Sequence, residues 1–407
     1  MSEVYIRTAN DVRKIADIPN SIRLAFIALT RTKNGRMKIS LPDGRVFVFD
    51  QDIPGPDAHI IVKDQAMARR VLMKGDIGFA ECYMDDQFET PSLTAVLEYF
   101  AVNFEEAGKL GRGSFLGNIV AKAIDAFTRQ NTRRGSKKNI LAHYDLGNAF
   151  YEKWLDPSMT YSSALFDGTR DMLPAQQKKY DSIAQKIGAQ PDAHILEIGS
   201  GWGGFAEHAA MNYGSRITTI TISNAQHEYA SRRIFEAGLA ERVKVELRDY
   251  RDVEGQYDGV ASIEMFEAVG ESFWPSYFGK LAQVLQSGKR AALQIITIDD
   301  GLFDGYRNRV DFIQKYIFPG GMLPSETALK EQFSRAGLVF EGAHMFGQSY
   351  ADTLKEWGQS FRNAWPEIEQ LGFDRPFRNL WEYYLSYCEA GFRTGRTDVG
   401  QFVVHKA

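Results

Sequence analysis

Residues 195–204 read Ile195-Leu196-Glu197-Ile198-Gly199-Ser200-Gly201-Trp202-Gly203-Gly204. An apolar strand runs into a glycine-rich turn, and the turn opens a helix. Glycine allows the sharp turn and a close approach of backbone to a ligand. The segment therefore predicts a binding site at the carboxyl end of the first strand of an open α/β sheet. Outward from it the pattern alternates. Strands are predicted at 194–198, 217–222, 243–247, 259–263 and 291–298, with helical stretches between them. Such alternation implies a parallel sheet covered on both faces. Two late strands, 338–346 and 401–405, are expected to close the sheet as a hairpin around a helical region at 350–393.

Gly199, Gly201 and Gly204 also fit the G-x-G-x-x-G pattern of dinucleotide sites. A nicotinamide enzyme ends its second strand on an acid that holds the ribose hydroxyls. Here that strand runs out as Thr221-Ile222-Ser223-Asn224-Ala225-Gln226, with no acid.

The first 104 residues read as a small mixed unit. Segments 37–41 and 46–49 flank Pro42-Asp43-Gly44, a hairpin signal. Helical stretches follow at 64–73 and 92–100, the second opening on Ser92 as a cap. Between 105 and 140, Phe115, Ile119, Val120, Ala123, Ile124 and Phe127 recur at helical spacing. Then come Arg129, Arg133, Arg134, Lys137 and Lys138 without an acid among them. This cluster reads as a solvated linker or as a patch for anionic headgroups, each charge contributing ~1 kcal/mol near a membrane surface. The expected division is 1–104, a linker at 105–140, and a large domain at 141–407.

Several classes are disfavoured. A net charge of -4 argues against a nucleic-acid partner. Cys82 and Cys388 make neither a disulfide framework nor a zinc site and fit a reduced, cytoplasmic protein. No metal-ligand spacing occurs. The first residues lack the basic-then-apolar run of a leader, and no apolar run is long enough to span a bilayer. A lipid substrate would be reached transiently from the inner face of the membrane.

Residues 143–166 begin His143-Tyr144-Asp145-Leu146-Gly147-Asn148 and end Leu155-Asp156-Pro157-Ser158-Met159-Thr160-Tyr161-Ser162-Ser163-Ala164-Leu165-Phe166. Further segments follow in order: 196–204, 221–226, Arg248-Asp249-Tyr250-Arg251-Asp252, Met265-Phe266-Glu267, Lys315-Tyr316-Ile317-Phe318-Pro319, 364–368 and Tyr383-Tyr384-Leu385, with 78–85 ahead of them. Together they resemble the cyclopropane-fatty-acid synthase and mycolic-acid methyltransferase family over most of the chain. Glu197, two residues before the first glycine, is similar to Rossmann-like methyltransferases.

The resemblance implies an α/β fold: a seven-stranded Rossmann-like class I methyltransferase sheet with a helical insertion over the active site, and a smaller N-terminal α+β domain. It implies S-adenosylmethionine as cofactor and methyl transfer, through a carbocation, to the double bond of an unsaturated phospholipid acyl chain, giving a cyclopropane. Tyr161 and Ser162 would border the cofactor. Glu197, Gly199, Ser200, Gly201 and Gly203 would hold its methionine portion, Thr221, Ser223 and Gln226 its ribose side, and Tyr250 and Arg251 its adenine surroundings. A bicarbonate would act as base on ligands matching Ser163, Glu267, Gln294, Ile296 and Tyr316. Cys388 would line the pocket, His143 would be structural, and a homodimer is what the family suggests.

Three positions depart from the family's pattern. Its cysteine is Ser163, its histidine is Gln294, and M-F-E-H-V-G reads Met265-Phe266-Glu267-Ala268-Val269-Gly270. Serine keeps a backbone amide and a hydroxyl; glutamine donates hydrogen bonds but carries no proton charge. A π bond needs no deprotonation before attack, only alignment and exclusion of water. Aromatic faces can stabilise the resulting cation; Tyr316 and Phe266 are the candidates, both also readable as core packing and Phe266 more readily so, and Glu267 can do so with its charge. Proton loss from the new methyl closes a cyclopropane, whereas a hydride shift first gives a methyl- or methylene-branched chain, the alternative that Gln294 and Ser163 raise. Other readings stay open: a methyltransferase for a small soluble nitrogen or oxygen nucleophile, a non-catalytic lipid- or cofactor-binding paralogue, and a nicotinamide oxidoreductase.

Overall fold

The computed structural model describes residues 3–103 and 146–407. The amphipathic stretch and basic cluster expected at 105–140, and His143, lie outside them. The described residues form two compact units.

The first unit holds 3–103 together with Arg309–Phe312 and Trp365–Arg396. Its strands are β1 (Glu3–Tyr5), β2 (Asn34–Ser40), β3 (Val46–Asp50), β4 (Ile53–Val62) and β5 (Phe88–Glu89), in the order β1-β3-β2-β4-β5. β2 and β3 pair antiparallel around the predicted turn, where Gly44 takes φ 88°, a left-handed conformation that glycine adopts freely. The side chain of Ser92 accepts the amide of Ala95 and starts helix Leu93–Val102, as expected. The preceding helix runs further than the expected 64–73. It spans Ala66–Met84 across a kink at Gly75, whose φ of 61° and ψ of -135° are not helical. Helix Arg375–Arg393 packs in this unit through Thr94, which donates to Glu389 at 2.9 Å, and Tyr83, which donates to Glu382 at 3.1 Å.

The second unit carries β6 (His194–Ile198), β7 (Arg216–Thr221), β8 (Val243–Leu247), β9 (Tyr257–Ile263), β10 (Leu285–Ile298), β11 (Leu338–Met345) and β12 (Thr397–Lys406), in the order β11-β12-β10-β9-β6-β7-β8. β6 through β10 pair in parallel. All five predicted parallel strands are present, their ends shifted by at most a few residues except that β10 starts earlier. Successive side chains on a strand face opposite sides. Leu196, Val260 and Leu293 accordingly join one core with helix Trp274–Val284, while Ile195, Ala261 and Ala292 join a second core on the other face with helices Met172–Lys186 and Gly204–Tyr213. Burial on both faces is why these strands read as continuous apolar runs.

The late strands do pair antiparallel, but not as an appended hairpin. β12 inserts between β10 and β11 and pairs with both, so that Gln401 faces Gln294 on one side and His344 on the other. The carboxyl ends of β6, β7, β9 and β10 converge on one edge of the sheet, where open α/β folds bind ligands.

Candidate active site

The glycine turn is held from below. The amides of Gly199 and Ser200 both donate to the carbonyl of Ile220 on β7, at 3.0 and 2.9 Å. Gly199 has φ 96°, and a side-chain carbon added there would lie 2.9 Å from Met265. The turn thus abuts the loop after β9. Gly203, at φ 87°, caps helix Gly204–Tyr213. Gly201 is different: at φ 50°, an added carbon would meet nothing within 4 Å. The backbone there faces open space, as a ligand-cradling turn requires.

Glu197 is buried at the end of β6 and accepts a hydrogen bond from Thr219 at 2.6 Å. Burial pushes its carboxyl up to about 8. Thr221 donates to Gln226 at 2.8 Å, and Ser223 caps helix Asn224–Glu236 by accepting the amide of Gln226. Arg251 grips Asp249 through two nitrogens at 2.8 and 2.7 Å, with its guanidinium over the Tyr250 ring. Tyr161 packs among Tyr151, Trp154 and Trp357. Trp202, within the turn, donates to Asn148 at 2.9 Å and so ties the start of helix Asn148–Tyr151 to the glycine loop. A buried acid, hydroxyl and amide groups, and an aromatic ring fit the ammonium, ribose and purine of S-adenosylmethionine.

A residue outside the expected set organises the rest. Glu264 follows β9 with φ 48°, a left-handed conformation uncommon for a residue with a side chain. Its Oε1 accepts the Ser163 amide at 2.8 Å and Gln294 Nε2 at 2.8 Å, and its Oε2 accepts the Tyr350 hydroxyl at 2.7 Å. Gln294 is fully buried, and its Oε1 accepts Gln401 Nε2 at 3.1 Å. Gln401 Oε1 in turn accepts from Ser182 at 2.7 Å and from Lys186. An ammonium only donates. Lys186 therefore fixes which end of each amide faces which, and the series ends by presenting N–H groups to Glu264.

Glu267 lies one turn on. Its Oε1 accepts the Ile296 amide at 2.6 Å, and its Oε2 is buried with no partner among the described residues. Burial, and the neighbouring Glu264, push its carboxyl up to about 8. The loop after Tyr316 returns here, Met322 donating its amide to the Glu267 carbonyl at 2.9 Å. Tyr316 itself is half-buried, with the Lys315 ammonium 4.8 Å from its ring centre. Phe266 belongs to the core, its ring packed at tilted angles against Trp274, Tyr277 and Phe278, and is not a site residue. Its backbone turns the ring inward between the two acids. Cys388 lies in the first unit, where burial, and then Asp311, hold its thiol up; a thiolate is disfavoured there.

Lys179 also escaped the sequence reading. It is fully buried and donates to Ser162 Oγ at 2.7 Å and Gln176 Oε1 at 2.6 Å. Burial lowers its ammonium to about 7, opposed chiefly by Glu264. The readable signal was its place on the apolar stripe formed by Ala175, Tyr180, Ile183 and Ala184. For Glu264 the signal was an acid set inside the run Ser262-Ile263-Glu264-Met265-Phe266.

Comparison with known proteins agrees with this geometry. The profile of the mycolic acid cyclopropane synthetase family matches residues 131–402. The tuberculostearic acid methyltransferase of Mycobacterium tuberculosis is 37% identical over 360 residues, covering 86% of this chain and 84% of its own. The cyclopropane-fatty-acyl-phospholipid synthase of Escherichia coli K12 is 34% identical over 351 residues, covering 85% and 87%. Among solved structures, a cyclopropane synthase of Mycobacterium tuberculosis superposes with a TM-score of 0.63 at 27% identity, over 66% of this chain and 98% of its own. A mycolic acid cyclopropane synthase complexed with SAH and CTAB gives a TM-score of 0.62 at 28% identity, with the same coverage. The chain belongs to the mycolic acid cyclopropane synthetase family of S-adenosylmethionine-dependent methyltransferases.

Proposed function

We propose that this enzyme methylates an olefinic carbon of an unsaturated phospholipid acyl chain and releases a methyl- or methylene-branched chain. The observation that carries the reading is the carboxylate pair Glu264 and Glu267, set beside the glycine turn through Met265. When bound, S-adenosylmethionine supplies an electrophilic sulfonium methyl. The double bond's π pair forms the new carbon–carbon bond, and the methyl–sulfur pair stays on sulfur. The adjacent carbon becomes cationic. Negative charge within a few ångströms stabilises such a cation far more in a dry site than in water. Glu267 Oε2, buried and without a partner among the described residues, offers a lone pair there, and a cation developing beside it favours its ionised form; Tyr316 offers a ring face.

Branching is favoured by one feature of the site. Where the resemblance implies a histidine able to carry a proton, Gln294 cannot, and its N–H is committed to Glu264. The relative named for tuberculostearic acid, matched over 86% of this chain, supports the same reading. Cyclopropane formation is the second reading, supported by the 34% identity to the Escherichia coli synthase. Both start with the same step and lose one proton, so both leave a ring or an alkene. A saturated branch would need a hydride from another enzyme. No helix among the described residues is long and apolar enough to cross a membrane, so the acyl chain would be met from the bilayer surface, and the enzyme would work there transiently.

Incubation with methyl-labelled S-adenosylmethionine and vesicles of phosphatidylethanolamine and phosphatidylglycerol bearing oleoyl and linoleoyl chains, then proton NMR of the extracted lipid, tests this. A labelled branch without upfield ring protons is expected. Ring protons alone would establish the cyclopropane reading instead, and label confined to soluble acceptors would reject both.

A further inference from the structure

The five residues implied for bicarbonate do not leave a vacant anion site. The Ser163 amide and Gln294 Nε2 both donate to Glu264, and the Ile296 amide donates to Glu267. Three donors that would hold a free anion are engaged by carboxylates of the chain itself. Bicarbonate does not fit this arrangement.

We propose that the Glu264 carboxylate stands in the place of that ion and accepts the proton whose loss ends the reaction. The inference rests on the methyl-transfer reading above. Three arguments support it. First, the donors are oriented for an acceptor. Lys186 donates to Gln401, Gln401 to Gln294 and Gln294 to Glu264, a one-way series that ends on Oε1 and satisfies the ionised form there. Second, among the described residues Oε2 accepts only the Tyr350 hydroxyl, which leaves it a lone pair for a proton. Third, the backbone of Glu264 is held at φ 48°; an unfavourable conformation at a convergence of buried polar groups is characteristic of functional positions. Burial also raises the basicity of this carboxylate, against the pull of Lys179, which brings it nearer the range useful to a general base.

The balance is simple. A C–H bond next to the cationic centre breaks, its electron pair forms the new π bond or ring bond, and the proton passes to Glu264 Oε2. The neutral acid returns the proton to solvent when product leaves. Glu267, its own carboxyl raised, remains the neighbour that faces the cation. A base tethered to the chain makes turnover independent of dissolved carbon dioxide.

The test compares wild type with Glu264→Gly and Glu264→Gln in bicarbonate-depleted buffer, with and without added bicarbonate or formate. Lipid label and S-adenosylhomocysteine release are both followed. Glycine suits the left-handed backbone and vacates the carboxylate's space. Wild type should be indifferent to bicarbonate. Glu264→Gly should lose at least ~100-fold in rate, within the range of a lost general base, and should regain part of it with either small anion. Glu264→Gln, which keeps shape and fold, should be equally slow, should not be rescued, and should bind S-adenosylmethionine as wild type does. Lipid labelling by wild type that requires bicarbonate, or unrescued full activity of either variant, overturns the assignment of the base alone. A wild type that labels no unsaturated lipid under any condition overturns the underlying reading.

Discussion

Gln294 donates to Glu264 at 2.8 Å, and the polarity of that bond is set by a lysine that touches neither residue. Lys186 donates to Gln401 Oε1, which turns the Gln401 amide nitrogen toward Gln294. Replacing Gln401 by leucine removes this constraint. The buried Gln294 Oε1 then loses its donor, which costs about 1–3 kcal/mol for an unsatisfied buried group. We expect the urea midpoint of Gln401→Leu to fall accordingly and its kcat to drop about tenfold as Glu264 loses its orientation, with cofactor affinity unchanged. An unaltered kcat would show that the series serves folding only.

Glu197 offers a thermodynamic signature of cofactor placement. Its carboxyl is raised to about 8 by burial, so at neutral pH the ligand-free enzyme holds mostly the neutral acid. An ammonium set against it favours the carboxylate. Binding of S-adenosylmethionine at pH 7 should therefore release up to about one proton, read by calorimetry in buffers of different ionisation enthalpy. Glu197→Gln should bind more weakly and release none. Equal proton release by the variant would place the methionine amine elsewhere.

Lys179 predicts a stability that rises with pH. Its folded-state value lies near 7, below the ordinary 10.5. Between those values the unfolded chain binds a proton that the folded chain lacks, so stability rises as pH climbs through that window. Lys179→Met abolishes this rise. In urea titrations at pH 7 and pH 9.5, wild type should gain on the variant at the higher pH. Parallel shifts of the two midpoints would mean that Lys179 stays charged in the fold.

The two inner glycines of the turn should fail differently. Gly199→Ala sets a carbon 2.9 Å from Met265 in a backbone of φ 96°, and a cost of about 1–3 kcal/mol follows from the strain alone. Gly201→Ala meets nothing within 4 Å at φ 50° and should cost only ~1–2 kcal/mol of left-handed strain. Yet its methyl enters the open space beside the turn, which is the space expected to receive the cofactor. We expect thermal melts to separate Gly199→Ala from wild type, and cofactor titration to separate Gly201→Ala.

The scaffold was readable because its signals are local. A short, mostly apolar strand at 194–198 ending in glycines is enough to place β6 and the turn, and the family's segments carry the residues expected around the cofactor. Glu264 was hidden because an acid just past a strand reads as a surface residue, and only the third dimension brings Ser163, Gln294 and Tyr350 to it. Gln401 was hidden for a related reason. Its neighbours in the sheet, Gln294 and His344, lie far away in sequence, and no periodicity within 401–405 announces them. Phe266 shows the converse: a residue inside a matched segment whose ring serves only the core.

The insertion of β12 between β10 and β11 has a consequence for biogenesis. A nascent chain that has emerged only as far as residue 396 has β10 and β11 in hand but lacks the strand that joins them. Until then β10 presents an open edge of unpaired amides and carbonyls, which invites pairing with another chain. The same late segment brings Gln401. Completion of the sheet and delivery of Gln401 to Gln294 are thus one event.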